Sequence, residues 1–110
     1  MGLHLGLDVS HGYPTTAVTL RGELDLSTAP DLAKLLDLLL ATGVLHVTLD
    51  LGDLAFVDSR GLRAIASCRD AFVAAGGDLA VRHPRRLARQ LLDVLGLAER
   101  VPVLPEAAWA

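Results

Sequence analysis

Hydrophobic periodicity switches repeatedly between two and 3.6 residues along this chain, and few folds accommodate that switching. Val44 to Leu51 sets Leu45, Val47, Leu49 and Leu51 against His46, Thr48 and Asp50, the signature of a strand with one buried face. Gly52-Asp53 is expected to break it. From Gly61 the pattern turns helical: Leu62, Ile65, Ala66, Phe72 and Val73 form a core stripe, with Arg60, Arg63, Ser67, Asp70 and Ala74 opposite. Between the two lies Phe56-Val57-Asp58-Ser59-Arg60-Gly61-Leu62. At such a strand-to-helix junction, free backbone N–H groups, a small hydroxyl and charged neighbours can all face solvent.

The flanking segments extend the alternation. Leu3, Leu5, Leu7 and Val9 alternate with polar or small residues, Ser10 to Pro14 reads as a turn, and Val18, Leu20, Gly22 and Leu24 share one face of a second strand. These two strands predict a hairpin. Ser27-Thr28-Ala29-Pro30-Asp31 reads as a helix start, with Thr28 as cap, Asp31 its box-like partner and Pro30 in the first turn. Leu32, Leu35, Leu36, Leu39 and Leu40 follow at helical spacing until Gly43. Gly76-Gly77 closes the second helix, Asp78 to Arg82 is a short strand, and a third helix from Pro84 turns Leu87, Leu91 and Leu95 inward. Val101 and Val103, split by Pro102, suit an edge strand.

The order β-β-α-β-α-β-α-β implies one α/β domain over residues 1–110, a mixed and mostly parallel sheet with an N-terminal hairpin and packed helices. Parallel second and third strands would end on the same side of the sheet. Glu23 and Asp25 are expected in the turn after the second strand and Asp53, Asp58 and Ser59 in the turn after the third, so an acidic rim around one serine is the expected surface.

Composition narrows the chemistry. Met1 to Ser59 holds two basic residues against eight carboxylates, whereas Arg60 to Arg100 holds eight arginines against four. Neither half resembles a nucleic-acid-binding tail, and with aromatics at 4% base stacking has little to use. Cys68 is the single cysteine, so no internal disulfide or thiolate metal site is available, which suits a reducing cytosol. His4, His11, His46 and His83 are scattered without metal-ligand spacing. No membrane span and no signal peptide are expected, because Leu35 to Leu40 is short and interrupted by Asp37 and the N-terminus lacks a basic segment before an apolar core.

Asp58 and Ser59 both belong to the preferred N-cap types, so capping alone explains them. As a hydrolase nucleophile Ser59 lacks a Gly-x-Ser-x-Gly elbow and an assignable base. Asp50 and Asp53 invite comparison with a phosphoacceptor aspartate of a receiver domain, but the lysine that chemistry needs on a late strand is absent, Lys34 lying on the first helix. Neither glycine-rich nucleotide fingerprint is present. Arg82, Arg85, Arg86 and Arg89 form the most basic patch, read as a solvated face or as a surface for an anionic ligand. Gly61, Ala64, Cys68 and Ala71 form a line of small residues suited to close packing or to docking a partner, and Trp109 sits in an apolar tail.

Leu20-Arg21-Gly22-Glu23-Leu24-Asp25, the strand Val47 to Leu51 leading to Asp58-Ser59-Arg60-Gly61-Leu62, the Gly76-Gly77 break, and Leu92-Asp93-Val94-Leu95-Gly96-Leu97 together resemble the bacterial anti-sigma factor antagonists, which are STAS domains. The resemblance runs in order through nearly the whole chain. It implies a cytoplasmic, non-enzymatic regulator of sigma-factor-dependent transcription with no cofactor. Unphosphorylated, such a protein binds an anti-sigma factor that is also a serine kinase; phosphorylation, here at Ser59, releases it, and a phosphatase restores it. Glu23, Asp25, Asp58, Ser59, Arg60, Gly61 and Arg63 are the expected partner-binding residues, with no direct contact to nucleic acid or membrane. A weak homodimer is compatible with this reading. Position 60 is arginine where many members carry a small hydroxylic residue. STAS modules of other signalling or transport complexes share the fold, and a small anionic ligand is the alternative occupant.

Overall fold

The alternating apolar residues pair into a sheet whose strands follow one another in chain order. The protein is described here over residues 4–105 of a computed structural model. Leu5–Ser10 (β1) and Thr16–Leu24 (β2) form the expected antiparallel hairpin, with Leu7 opposite Leu20 and Val9 opposite Val18. Ala29–Ala41 (α1) leads to His46–Val57 (β3), parallel to β2. Ser59–Ala74 (α2) leads to Asp78–Arg82 (β4), parallel to β3, and Arg86–Val94 (α3) follows. Sheet order is β1-β2-β3-β4. The final β element is a single parallel bridge of Val103 to Val81, held by Val81 N–H to Pro102 O and Leu104 N–H to Val81 O.

Residues that alternate along the strands meet across them. Val18 pairs with Leu49 and Leu49 with Val81, and all three are fully buried. Leu32, Leu36, Leu62 and Ile65, with the one buried aromatic ring of Phe72 among the described residues, complete a largely aliphatic core in which α2 packs against α1 and β4. Burying one such side chain favours folding by about 1.5–3 kcal/mol. Gly77 is needed where the second helix returns to the sheet, because a Cβ there would meet Leu45 O at 1.9 Å.

Three expectations change. Gly52-Asp53 does not break the third strand, which runs on to Val57 with register shifts against β2. The reason is that Gly52 loses neither backbone partner: its N–H donates to Asp50 Oδ1 at 2.9 Å and its carbonyl accepts Arg85 Nε at 3.0 Å. Leu87 is 57% exposed, whereas Leu91 and Leu95 do pack against the core, beside the buried Ala88 and Leu92. Val73, in the last turn of α2, is 47% exposed. Leu3 and Trp109 lie outside the described residues.

Candidate functional site

β2 and β3 end level with each other. Leu24 pairs with Val57, so Asp25 and Asp58 are the first residues beyond the two parallel strands. Asp58 N–H donates to Leu24 O at 3.3 Å and joins the two strand ends. The expected meeting of Asp25 with Asp58 and Ser59 at one rim therefore occurs. Glu23 does not join it from a turn, because it is still within β2 opposite Phe56. Asp53 is not at the rim either: it pairs with Arg21 inside the ladder, about 15 Å back along the strand at 3.3 Å per residue.

The helix that starts here divides the work between two neighbours. Asp58 is the N-cap, with extended backbone (φ −111°, ψ −176°) and Oδ1 accepting the Gly61 N–H at 2.9 Å. Ser59 is the first helical residue, half-buried, and its hydroxyl has no hydrogen-bond partner among the described residues. Capping thus accounts for the aspartate and leaves the serine hydroxyl uncommitted. Gly61 is fixed by packing, since a Cβ would stand 2.5 Å from Leu24 O and 2.8 Å from Leu24 Cγ. The Asp-Ser-x-Gly spacing is in this way a physical unit: cap, uncommitted hydroxyl, and the gap that lets α2 close on the end of β2.

Asp25 builds the facing turn. Its Oδ1 accepts the Ser27 hydroxyl at 2.7 Å, the Ser27 N–H at 2.9 Å and the Thr28 N–H at 3.1 Å. The Ser27 hydroxyl foremost, with these N–H donors and the Thr28 hydroxyl, holds the Asp25 carboxyl below its ordinary pKa against the opposing effect of desolvation. Thr28 occupies the N-cap position of α1 without capping it. Its hydroxyl donates to Glu23 O at 2.8 Å and accepts the Asp25 N–H at 3.0 Å, so the expected pairing of its side chain with Asp31 is replaced by a tie to β2. An acceptor occupied by the turn is unavailable for a helix N–H.

Beside the rim, α1 and α2 leave an open groove of about 410 Å³. Leu26, Ala29, Pro30, Ala33, Ala64 and Cys68 supply its apolar surface, and Arg60 and Arg63 flank it. Leu26 is 61% exposed. Neither arginine makes an ion pair or hydrogen bond among the described residues. The surface around Ser59 is thus of mixed sign, two carboxylates and two guanidinium groups, rather than acidic. Burial first, and the Asp37 charge second, push the Cys68 thiol up to about 11, so it stays protonated at neutral pH. The contribution of α1 escaped the sequence reading because Leu26, Ala29 and Ala33 carry no chemical signature; the small residues Ala64 and Cys68 were the available signal.

Elsewhere, Asp50 accepts Arg82 Nε at 3.0 Å and lies 3.1 Å from His83 Nδ1. Desolvation alone would raise its pKa, but the Gly52 N–H, His83 and Arg82 together lower it. The carboxylate that invited comparison with a phosphoacceptor is thereby committed to holding the start of the β4–α3 connection. Among the described residues no cluster of three or more His, Cys, Asp or Glu side chains could hold a metal ion, and no helix is long and apolar enough to cross a membrane.

A family model described as "Mlab, STAS domain" matches residues 8–105. Among solved structures, an anti-sigma factor antagonist from Mycobacterium paratuberculosis superposes with a TM-score of 0.81 at 24% identity, over 94% of this chain and 88% of that one. The Bacillus cell fate determinant SpoIIAA in the phosphorylated form gives 0.72 at 19% identity, over 94% and 96%. The murine anion transporter Solute Carrier 26 family member A9, in its inward-facing state, gives 0.69 at 18% identity, over 87% of this chain and 17% of that one.

Proposed function

The chain belongs to the STAS domain family, and on that premise we propose that it acts as an anti-sigma factor antagonist switched by phosphorylation of Ser59. One observation carries this reading. Ser59 is exposed enough to be reached, stands at the first position of α2, and keeps its hydroxyl unengaged because Asp58 does the capping. Unphosphorylated, the rim of Asp25, Asp58 and Ser59, with Arg60 and Arg63 beside it, binds an anti-sigma factor that is also a serine kinase. The kinase joins Ser59 Oγ to the γ-phosphorus of ATP, the bond to the bridging oxygen breaks, ADP leaves, and the hydroxyl proton passes to a base on the kinase.

Phosphate adds about −1.5 to −2 charges at neutral pH. Within the domain the helix N-terminus tolerates an anion, whereas a partner surface fitted to the neutral serine meets new bulk and charge. Release therefore requires no unfolding. A phosphatase resets the cycle, sigma-factor-dependent transcription is the output, and the protein works in the cytoplasm. In this reading the domain itself need perform no catalysis, since the kinase and the phosphatase carry out both phosphoryl-transfer steps.

A STAS module of another complex is the second reading, favoured by the family model's description and by the transporter match. Incubation with the candidate anti-sigma kinases of the source genome and ATP, followed by phosphate mapping by mass spectrometry, separates the two. Modification at Ser59, abolished in Ser59→Ala, supports the switch. No modification by any of them, with Ser59→Asp binding as tightly as the native chain, contradicts it.

A further inference from the structure

We infer that Arg63 is the internal receptor for a phosphate on Ser59. The inference rests on the switch reading for its biological use, but its chemistry is a property of this chain alone. Ser59 and Arg63 stand four residues apart in α2, where side chains lie one above the other with Cβ atoms about 5–6 Å apart. The anion comes first and the cation one turn later, the favoured order for such a pair.

Two further observations make Arg63 the receptor rather than a bystander. The two rim carboxylates do not hold it: Asp58 is bonded to the Gly61 N–H, and Asp25 to Ser27 and Thr28; Asp70, two turns on, pairs with Arg100. Arg63 itself is exposed and has no partner among the described residues. At 100° per residue, Arg63 lies about 40° around the helix from Ser59 and about 60° from Arg60. It can therefore serve either the groove, whose wall it forms with Arg60, or the phosphate. A phosphomonoester offers three acceptor oxygens to a guanidinium fork, a pairing stronger than a neutral hydrogen bond. Phosphorylation then does more than place charge at the rim. It draws Arg63 from the groove wall and so removes a cation from the surface beside the rim.

The test needs no kinase. Phosphoserine is installed at position 59 during translation, and the second ionisation of the phosphate is followed by ³¹P NMR in the otherwise native chain, in Arg63→Ala, in Arg63→Lys and in Arg60→Ala. An exposed guanidinium pair should hold that pKa about 0.2–0.4 units lower than in Arg63→Ala. Arg63→Lys should recover part of the shift, Arg60→Ala little of it, and 1 M salt should shrink the difference. Equal values in the native chain and Arg63→Ala, with both folded by circular dichroism, overturn the inference, because the helix N–H groups would then hold the phosphate alone. A shift in the installed phosphoprotein together with no natural phosphorylation would instead uphold the clamp and contradict the switch.

Discussion

At the residue scale the Asp-Ser-x-Gly unit separates into three independent tasks, and substitution should separate them too. Asp58→Ala removes the N-cap of α2 and should cost about 1 kcal/mol in urea unfolding. Ser59→Ala should stay within about 0.5 kcal/mol of the native chain, since its hydroxyl bonds nothing among the described residues. Equal losses for the two would mean that the serine shares the cap. Gly61→Ala forces a methyl against Leu24 O and should cost about 1–3 kcal/mol. That a helix starts at this stretch was legible from residue types alone, but not which of Asp58 and Ser59 caps it, because both are good caps and only backbone geometry chooses. Cys68 was visible as a lone cysteine, while its muted reactivity comes from burial; it should alkylate slowly at pH 8 and faster in urea.

At the scale of elements the periodic segments could be read from sequence and their ends less well. Gly52-Asp53 looks like a strand break in any local window, yet Asp50 and Arg85, the latter 33 residues away along the chain, satisfy the Gly52 backbone and carry the strand on. Thr28 has the local look of a cap and is diverted to Glu23 by the return of the chain. These tertiary substitutions lie beyond local propensity. They also set a pH dependence. The Asp25 and Asp50 carboxyls both lie below their ordinary pKa, so each contributes stability that is fully present above the unfolded-state value of about 3.9 and is lost as pH falls through the folded value. Asp50→Asn should cost about 1 kcal/mol at pH 7, and the difference from the native chain should shrink as pH falls below about 4. A constant difference from pH 7 to pH 2 would show that the charge of Asp50 does not matter.

For the molecule as a whole, the mixed sheet, its hairpin and the order of elements along the chain followed from the switching periodicities, and parallel ends of β2 and β3 brought Asp25 beside Asp58 as expected. The expected acidic character of the rim did not follow, because it depended on Asp53, which the longer β3 carries back into the ladder, and because Arg60 and Arg63, already expected at the partner surface, stand beside the serine and offset the carboxylates. What results is a scaffold whose surface near Ser59 sets two carboxylates against two guanidinium groups. The central claim is that the state of Ser59 decides partner binding while the fold stays the same. It is tested most directly by titrating the cognate anti-sigma factor against the native chain and against the chain fully phosphorylated at Ser59, with ¹H–¹⁵N spectra of both free forms. The account predicts affinity weaker by at least tenfold, about 1.4 kcal/mol, with spectral changes confined to the ends of β2 and β3 and the first turns of α1 and α2. Equal affinities, or a loss of binding accompanied by changes throughout the core, would contradict it.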